Sequence, residues 1–122
     1  MANTFDWIEI RVSDTREAAE FYENLFGWKV VRKETTEGTD YWIFDVGDEP
    51  RLENLRNGAL WLRPDDADLG VVVYVVVEDI DKVLRRVANL GGKVVVPATP
   101  HGPASRAYFE DPYGNLFGLW QE

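Results

Sequence analysis

Cysteine is absent from the 122 residues, which removes disulfide scaffolds, thiolate zinc sites and every thiol nucleophile from consideration. Histidine occurs once, at His101. Positive charge is in short supply: 13 Lys and Arg stand against 22 Asp and Glu, a net charge of −9 that opposes attraction to phosphate backbones. Nucleic acid is therefore not an expected partner. Long apolar runs are missing as well, since the longest, Val71 to Val77, is far shorter than the ~20 residues of a membrane helix. The opening Met-Ala-Asn-Thr shows no basic stretch followed by an apolar one, so the expectation is a soluble, unprocessed, cytoplasmic protein without a membrane partner. There is no Gly-x-Gly-x-x-Gly, no phosphate loop ending in Gly-Lys-Ser or Gly-Lys-Thr, and no His-Glu-x-x-His. Nucleotide handling and zinc-protease chemistry thus have no support.

What is present suffices for one core: 45% of positions are hydrophobic and 29% charged, which suits a single domain over residues 1–122. That domain is internally duplicated. Sliding the chain by 65 positions lays Val12-Ser-Asp14 on Val77-Glu-Asp79, Ala18 on Val83, Asn24-Leu25 on Asn89-Leu90, and Gly27 on Gly92. Each copy opens with an apolar strand, Phe5 to Val12 or Val71 to Val77, followed by Ser-Asp or Glu-Asp able to cap a helix. The first helix carries Ala18, Phe21, Tyr22, Leu25 and Phe26 as its buried side, and the second Val83, Leu84, Val87 and Leu90. Each helix stops at glycine, Gly27 or Gly91-Gly92. Three strands follow in each copy: Trp28 to Arg32, Tyr41 to Val46 and Ala59 to Arg63, then Lys93 to Val96, Arg106 to Glu110 and Leu116 to Trp120. The acidic stretch Arg63-Pro-Asp-Asp-Ala-Asp68 reads as a solvated turn between them.

A βαβββ unit covers one sheet face with its helix and leaves the other open, so two units must pair. In the first strand, alternation puts Ile8, Ile10 and Val12 toward the helix and Trp7, Glu9 and Arg11 on the open face. In the second copy Val71, Val73, Val75 and Val77 face the helix, while Val72, Tyr74 and Val76 take the open side. An aspartate should then be tolerated better at Val72, in a wet cup, than at Val73. If Leu60 and Leu62 face the helix, Ala59 and Trp61 point inward, and Trp120 lies on the same side as Gly118.

These paired units, the segment Val12-Ser-Asp-Thr-Arg-Glu-Ala-Ala-Glu-Phe-Tyr-Glu-Asn-Leu-Phe-Gly-Trp28 and the closing Glu110-Asp-Pro-Tyr-Gly-Asn-Leu-Phe-Gly-Leu-Trp120 resemble the vicinal oxygen chelate superfamily, which includes glyoxalase I, bleomycin-resistance proteins and extradiol dioxygenases. The resemblance implies an α+β fold. Its two βαβββ modules, about residues 5–65 and 70–121, would pair into a curved, cup-shaped mixed sheet with the helices outside, and homodimers are expected. Metal-binding relatives carry four His, Glu or Gln ligands inside the cup. The matching places here hold Trp7, Ala59 or Trp61, Val72 and Gly118, none of which can bind a cation, so no metal cofactor is expected.

The leading expectation is a metal-independent binder of a small organic molecule, lined by Trp7, Glu9, Arg11, Trp61, Tyr74 and Trp120, with Arg11 anchoring an acidic group. His101 joins them as a rim residue on the proline-rich loop Pro97 to Pro103. The indoles could equally serve core or dimer packing. A second expectation is a lyase, isomerase or dioxygenase-type enzyme in which Glu9 acts as general base beside Arg11. A third is a dimeric structural or interaction module whose cup is filled by its own side chains.

Overall fold

In the computed structural model, which describes residues 4–47, 57–65 and 69–122, each helix begins where an aspartate receives one of the free first-turn amides. Asp14 accepts from the Glu17 amide at 3.0 Å and opens α1 (Thr15–Phe26), while Asp79 accepts from the Lys82 amide at 3.2 Å and opens α2 (Ile80–Asn89). Gly27 ends α1 at φ 78°, a left-handed conformation that costs glycine little. Around the helices run β1 (Thr4–Val12), β2 (Lys29–Thr36), β3 (Thr39–Asp45), β4 (Asn57–Leu62), β5 (Gly70–Val76), β6 (Lys93–His101), β7 (Ala104–Glu110) and β8 (Leu116–Gln121). The chain is α+β, with the βαβββ order twice. Asp66 to Asp68 of the acidic turn lie outside the described residues.

The residues group into two units, one spanning Asp6–Val72 and the other holding Val73–Glu122 with the start of β1, so the division falls within β5. In the first, the strand order is β2-β3-β4-β1, with β1 parallel to β4 and the other pairs antiparallel. In the second it is β6-β7-β8-β5, with β5 parallel to β8. The duplication seen in the sequence is thus a duplication of topology.

Strand alternation sorts Ile10, Val12, Leu60, Val75 and Val77 to the helix side as expected, whereas Ile8 and Val71, at the starts of their strands and assigned to the same side, are exposed. Ile10, Phe44 and Leu60 form the first core, joined by Val12, Val30 and Trp42 from the sheet and by Ala18, Ala19 and Tyr22 from α1. Val77, Ile80, Leu84, Ala107 and Leu119 form the second, with Val75, Val83 and Phe109 against them. Two expectations about the helices fail. Phe21, Leu25 and Phe26 are more than half exposed, as is Leu90. The apolar residues of α1 spread over more of its circumference than one sheet can cover, and the small Ala18 and Ala19 set the contacting line. Tyr22 is the large apolar residue of α1 that packs against the core, where it stacks on Trp28 at 5.5 Å between ring centroids.

Two further expectations are corrected by the strands. Val72 is only 2% exposed while Val73 is half-buried, so the open side of β5 is dry at Val72 and the order of tolerance to aspartate reverses. The Pro97 to Pro103 stretch is not a loop over most of its length: β6 continues through His101, which pairs with Ala104. β6 lies at the end of its strand order, where Pro97 and Pro100 can lack a backbone donor without breaking a ladder on the far side. No helix among the described residues is long and apolar enough to cross a membrane.

Candidate functional site

On the face of the first unit turned away from α1, three strands bring charge and aromatic rings together. The ladder sets Glu9 opposite Ala59, Arg11 opposite Trp61, and Trp61 opposite Tyr41. Side chains directly across a ladder share a face, so these residues converge. Glu9 is fully buried, and its Oε1 accepts from Arg11 Nε at 2.9 Å, with the Arg11 side chain 9% exposed. A buried carboxylate requires such a partner, and the pairing fixes the direction of the guanidinium. Arg11 lies 5.2 Å from the centre of the Trp61 ring, and Arg63 approaches the same indole at 4.2 Å. Both distances are within cation–π range.

Hydrogen bonds hold the rings in place. Trp61 Nε1 donates to Thr39 Oγ1 at 3.0 Å and to the Thr36 carbonyl at 3.2 Å, while Trp7 Nε1 donates to the Tyr41 hydroxyl at 3.0 Å. Tyr41 meets Trp61 edge-on at 5.9 Å. The structure therefore brings together Trp7, Glu9, Arg11 and Trp61, and adds Tyr41, Thr39 and Arg63. Alternation could have placed both, Tyr41 within the Tyr41 to Val46 run and Arg63 two residues past Trp61 in the Ala59 to Arg63 run. Because Arg11 neutralises a buried carboxylate, removing it alone is a change to the fold as well as to the face.

In the second unit the corresponding face centres on a glycine. Gly118 pairs with Tyr74 of β5 on one side and Tyr108 of β7 on the other. A Cβ at Gly118 would stand 2.5 Å from the Tyr74 ring, so only glycine lets that ring lie over β8. The Tyr74 and Tyr108 hydroxyls are hydrogen-bonded to each other, and both residues are buried. Two ladder steps along, on the same face, Trp120 pairs with Arg106, and the Arg106 guanidinium lies 5.8 Å from the centre of the Tyr108 ring. His101 is exposed and meets Trp120 edge-on at 5.4 Å. Tyr74, Trp120 and His101 are thus neighbours within one unit, and Tyr108 and Arg106 join them unanticipated.

The two registers correspond: Glu9 and Tyr74 stand opposite Ala59 and Gly118, and Arg11 and Val76 opposite Trp61 and Trp120. Ala59, rather than Trp61, is therefore the first unit's equivalent of Gly118. The divalent metal implied by the resemblance does not fit these residues. Trp7 donates its indole N–H to Tyr41, Ala59 and Val72 are aliphatic, and Gly118 lies under a tyrosine ring. Among the described residues no three His, Asp or Glu stand close enough to hold an ion.

Residues 4–119 match the family model of the Glyoxalase/Bleomycin resistance protein/Dioxygenase superfamily. The chain belongs to this superfamily. It is 34% identical over 112 residues to a lactoylglutathione lyase of Neisseria meningitidis, covering 86% of this chain and 80% of that protein. It is 30% identical over 123 residues to CFP32 of Mycobacterium tuberculosis, which carries the name of a glyoxylase. That match covers 97% of this chain but 45% of CFP32, so the chain spans about half the length of this relative. A solved structure from Bacillus halodurans, hypothetical protein BH1468, superposes with a TM-score of 0.74 at 16% identity, over 100% of this chain and 96% of that one. It shares the vicinal oxygen chelate fold with this glyoxalase-superfamily chain.

Proposed function

We propose that this glyoxalase-superfamily chain binds a small organic molecule bearing a carboxylate, without a metal ion, on the β1–β4–β3 face of its first unit. Arg11 anchors the acid, the half-buried Trp7 and Tyr41 supply the aromatic wall, and Glu9 and the 2%-exposed Trp61 are positioning residues that hold Arg11. In the second unit Trp120 and His101 present a further aromatic surface, with the buried Tyr74 on a neighbouring strand. The observation that carries this reading is the 2.9 Å bond from Arg11 to the fully buried Glu9, on the same face as the donor-less Ala59. A guanidinium held in place on an aromatic face is suited to a planar carboxylate.

The test combines elemental analysis of the purified protein with tryptophan emission titrated against aromatic carboxylates and their amides. Carboxylates should bind, the amides should bind more weakly, and the protein should carry no stoichiometric metal. One tightly held metal ion per chain after dialysis would overturn the metal-free reading, and silence toward every carboxylate would favour an interaction module. Because Arg11→Ala leaves Glu9 buried without this partner, the binding variant is Glu9→Gln/Arg11→Met, which removes both charges. We also propose that the protein is a cytoplasmic homodimer that does not take nucleic acid as a partner. Light scattering on the purified chain tests the dimer.

The identity to a protein named lactoylglutathione lyase favours a second reading, an enzyme with Glu9 as its base. Full burial of Glu9 behind Arg11 argues against direct contact with a substrate. Glu9→Gln distinguishes the two, abolishing turnover in an enzyme and leaving carboxylate binding nearly unchanged in a binder.

A further inference from the structure

The helix side of the first unit's sheet carries a cleft that the reading above does not use. It opens between α1 and the strands β2 and β3 and has a volume of about 590 Å³, within the range of small-molecule sites. Its floor is apolar, made by Ala19 of α1, Val30 of β2 and Trp42 of β3. Because Ala19 offers only a methyl group, α1 does not fill the space over β2. Three cations border this floor, Arg16 from α1 and Lys29 and Lys33 from β2. Lys29 is spent on Glu23, at 3.8 Å. The Lys33 ammonium lies 4.3 Å from the centre of the Trp42 ring, and among the described residues neither it nor Arg16 has a carboxylate partner. A bulge puts Lys33 on this side of the sheet. The ladder sets Val30 opposite Phe44 and Lys33 opposite Trp42, so two residues three apart share a face, with Val31 as the extra residue between them. Unbroken alternation would turn Lys33 to the other face. Arg16 lies in the first turn of α1, where the helix dipole favours an acid, so the local needs of the helix do not account for it either.

We propose that this cleft binds a planar aromatic anion, its charged group held by Arg16 and Lys33 and its ring resting on the apolar floor. A contact with a ring face leaves the N–H donors of Lys33 without an acceptor, so the ammonium can meet an oxyanion while its stem stays against the indole. The Arg16 guanidinium adds a planar fork of donors from the opposite wall. Glu20, on the same wall as Arg16, repels further negative charge, which suits a ligand with a single anionic group. The cleft and the Arg11 face lie on opposite sides of the sheet: Trp42 packs with α1, whereas its chain neighbour Tyr41 meets Trp61.

This inference goes beyond the proposed function and uses different residues, so the two can fail separately. The probe is anilinonaphthalenesulfonate, whose emission rises as it leaves water. The control is phenylnaphthylamine, the same ring system without the sulfonate. The parent protein should bind the sulfonate more tightly than the amine, and added salt should weaken the sulfonate alone. Lys33→Gln and Arg16→Gln, both at exposed positions, should each weaken sulfonate binding roughly 3- to 10-fold, and Glu20→Gln should tighten it roughly 2- to 5-fold, with the amine unchanged throughout. Lys82→Gln, the same loss of charge on α2, should change neither. Equal effects of Lys33→Gln and Lys82→Gln overturn the site, because the sulfonate would not be reading the cleft. Sulfonate binding lost in Glu9→Gln/Arg11→Met but kept in Lys33→Gln would put the probe on the Arg11 face, which overturns the cleft and leaves the proposed function standing. Failure of the sulfonate to bind while aromatic carboxylates bind through Arg11 has the same consequence, and failure of both overturns both.

Discussion

Removing Arg11 while leaving Glu9 should destabilise the protein far more than removing the pair together. Glu9 has no exposed surface, and its Oε1 lies 2.9 Å from Arg11 Nε. In Arg11→Met the stem against Trp61 is largely kept but the carboxylate loses this cation, which for a buried pair costs about 3–5 kcal/mol. Against a total stability of about 5–15 kcal/mol that is a large fraction. At roughly 4 °C per kcal/mol for a domain of this size, the melting temperature should fall by about 12–20 °C. Glu9→Leu removes the carboxylate instead and leaves Arg11 its other contacts, the Trp61 ring among them, so the loss should be smaller, about 1–3 kcal/mol. Glu9→Leu/Arg11→Met buries two apolar side chains where two charges stood and should be close to neutral, well above Arg11→Met alone. Urea unfolding of the four proteins, followed by tryptophan emission, closes the cycle, with a common m-value as the check that unfolding stays two-state. Single losses that simply add in the double variant would refute the reasoning, because the pair would then not be what holds Glu9 in the interior.

Val72→Asp should cost several kcal/mol and more than Val73→Asp, since Val72 is 2% exposed and Val73 is half-buried; equal urea midpoints would contradict this. Phe21→Ser should change stability by less than about 0.5 kcal/mol, because Phe21 is 57% exposed; a large loss would mean that this face is covered in solution. Asp111 should titrate below the ordinary carboxylate value of 3.8, chiefly because the Asn115 side-chain amide donates to it, with the Asn115, Tyr113 and Gly114 backbones adding to the effect. A depressed folded pKa means that this contribution to stability is present above the unfolded value and is lost as pH falls through the folded one, below 3.8. Carboxyl-carbon NMR should show the low midpoint, and Asn115→Ala should raise it; a midpoint at or above 3.8 in the parent would refute the assignment.

The duplicated βαβββ order, the two aspartate caps and the separation of Ile10 and Val12 from Glu9 and Arg11 were all legible in the sequence. Each rests on local chemistry: a carboxylate three residues before a free amide, a glycine at a left-handed turn, and the period of two along a strand. Alternation likewise assigned Tyr74 and Trp61 to the faces turned from the helices. Which of two apolar residues is buried is another matter, because it depends on what the neighbouring element covers. Phe21 and Phe26 have every sequence mark of a core residue and are exposed, since the sheet is lined by Ala18, Ala19 and Tyr22. Val72 reads as facing a wet cup and is dry. The pairings that give the faces their chemistry depend on register between strands far apart in the chain. Trp7 with Tyr41 and Tyr74 with Tyr108 are each separated by 34 residues, and no local spacing predicts that two such hydroxyl or indole groups will meet. Only the folded ladder places the glycine between the two tyrosines, because a hydrogen-bond register over such distances is set by the whole sheet and not by either strand.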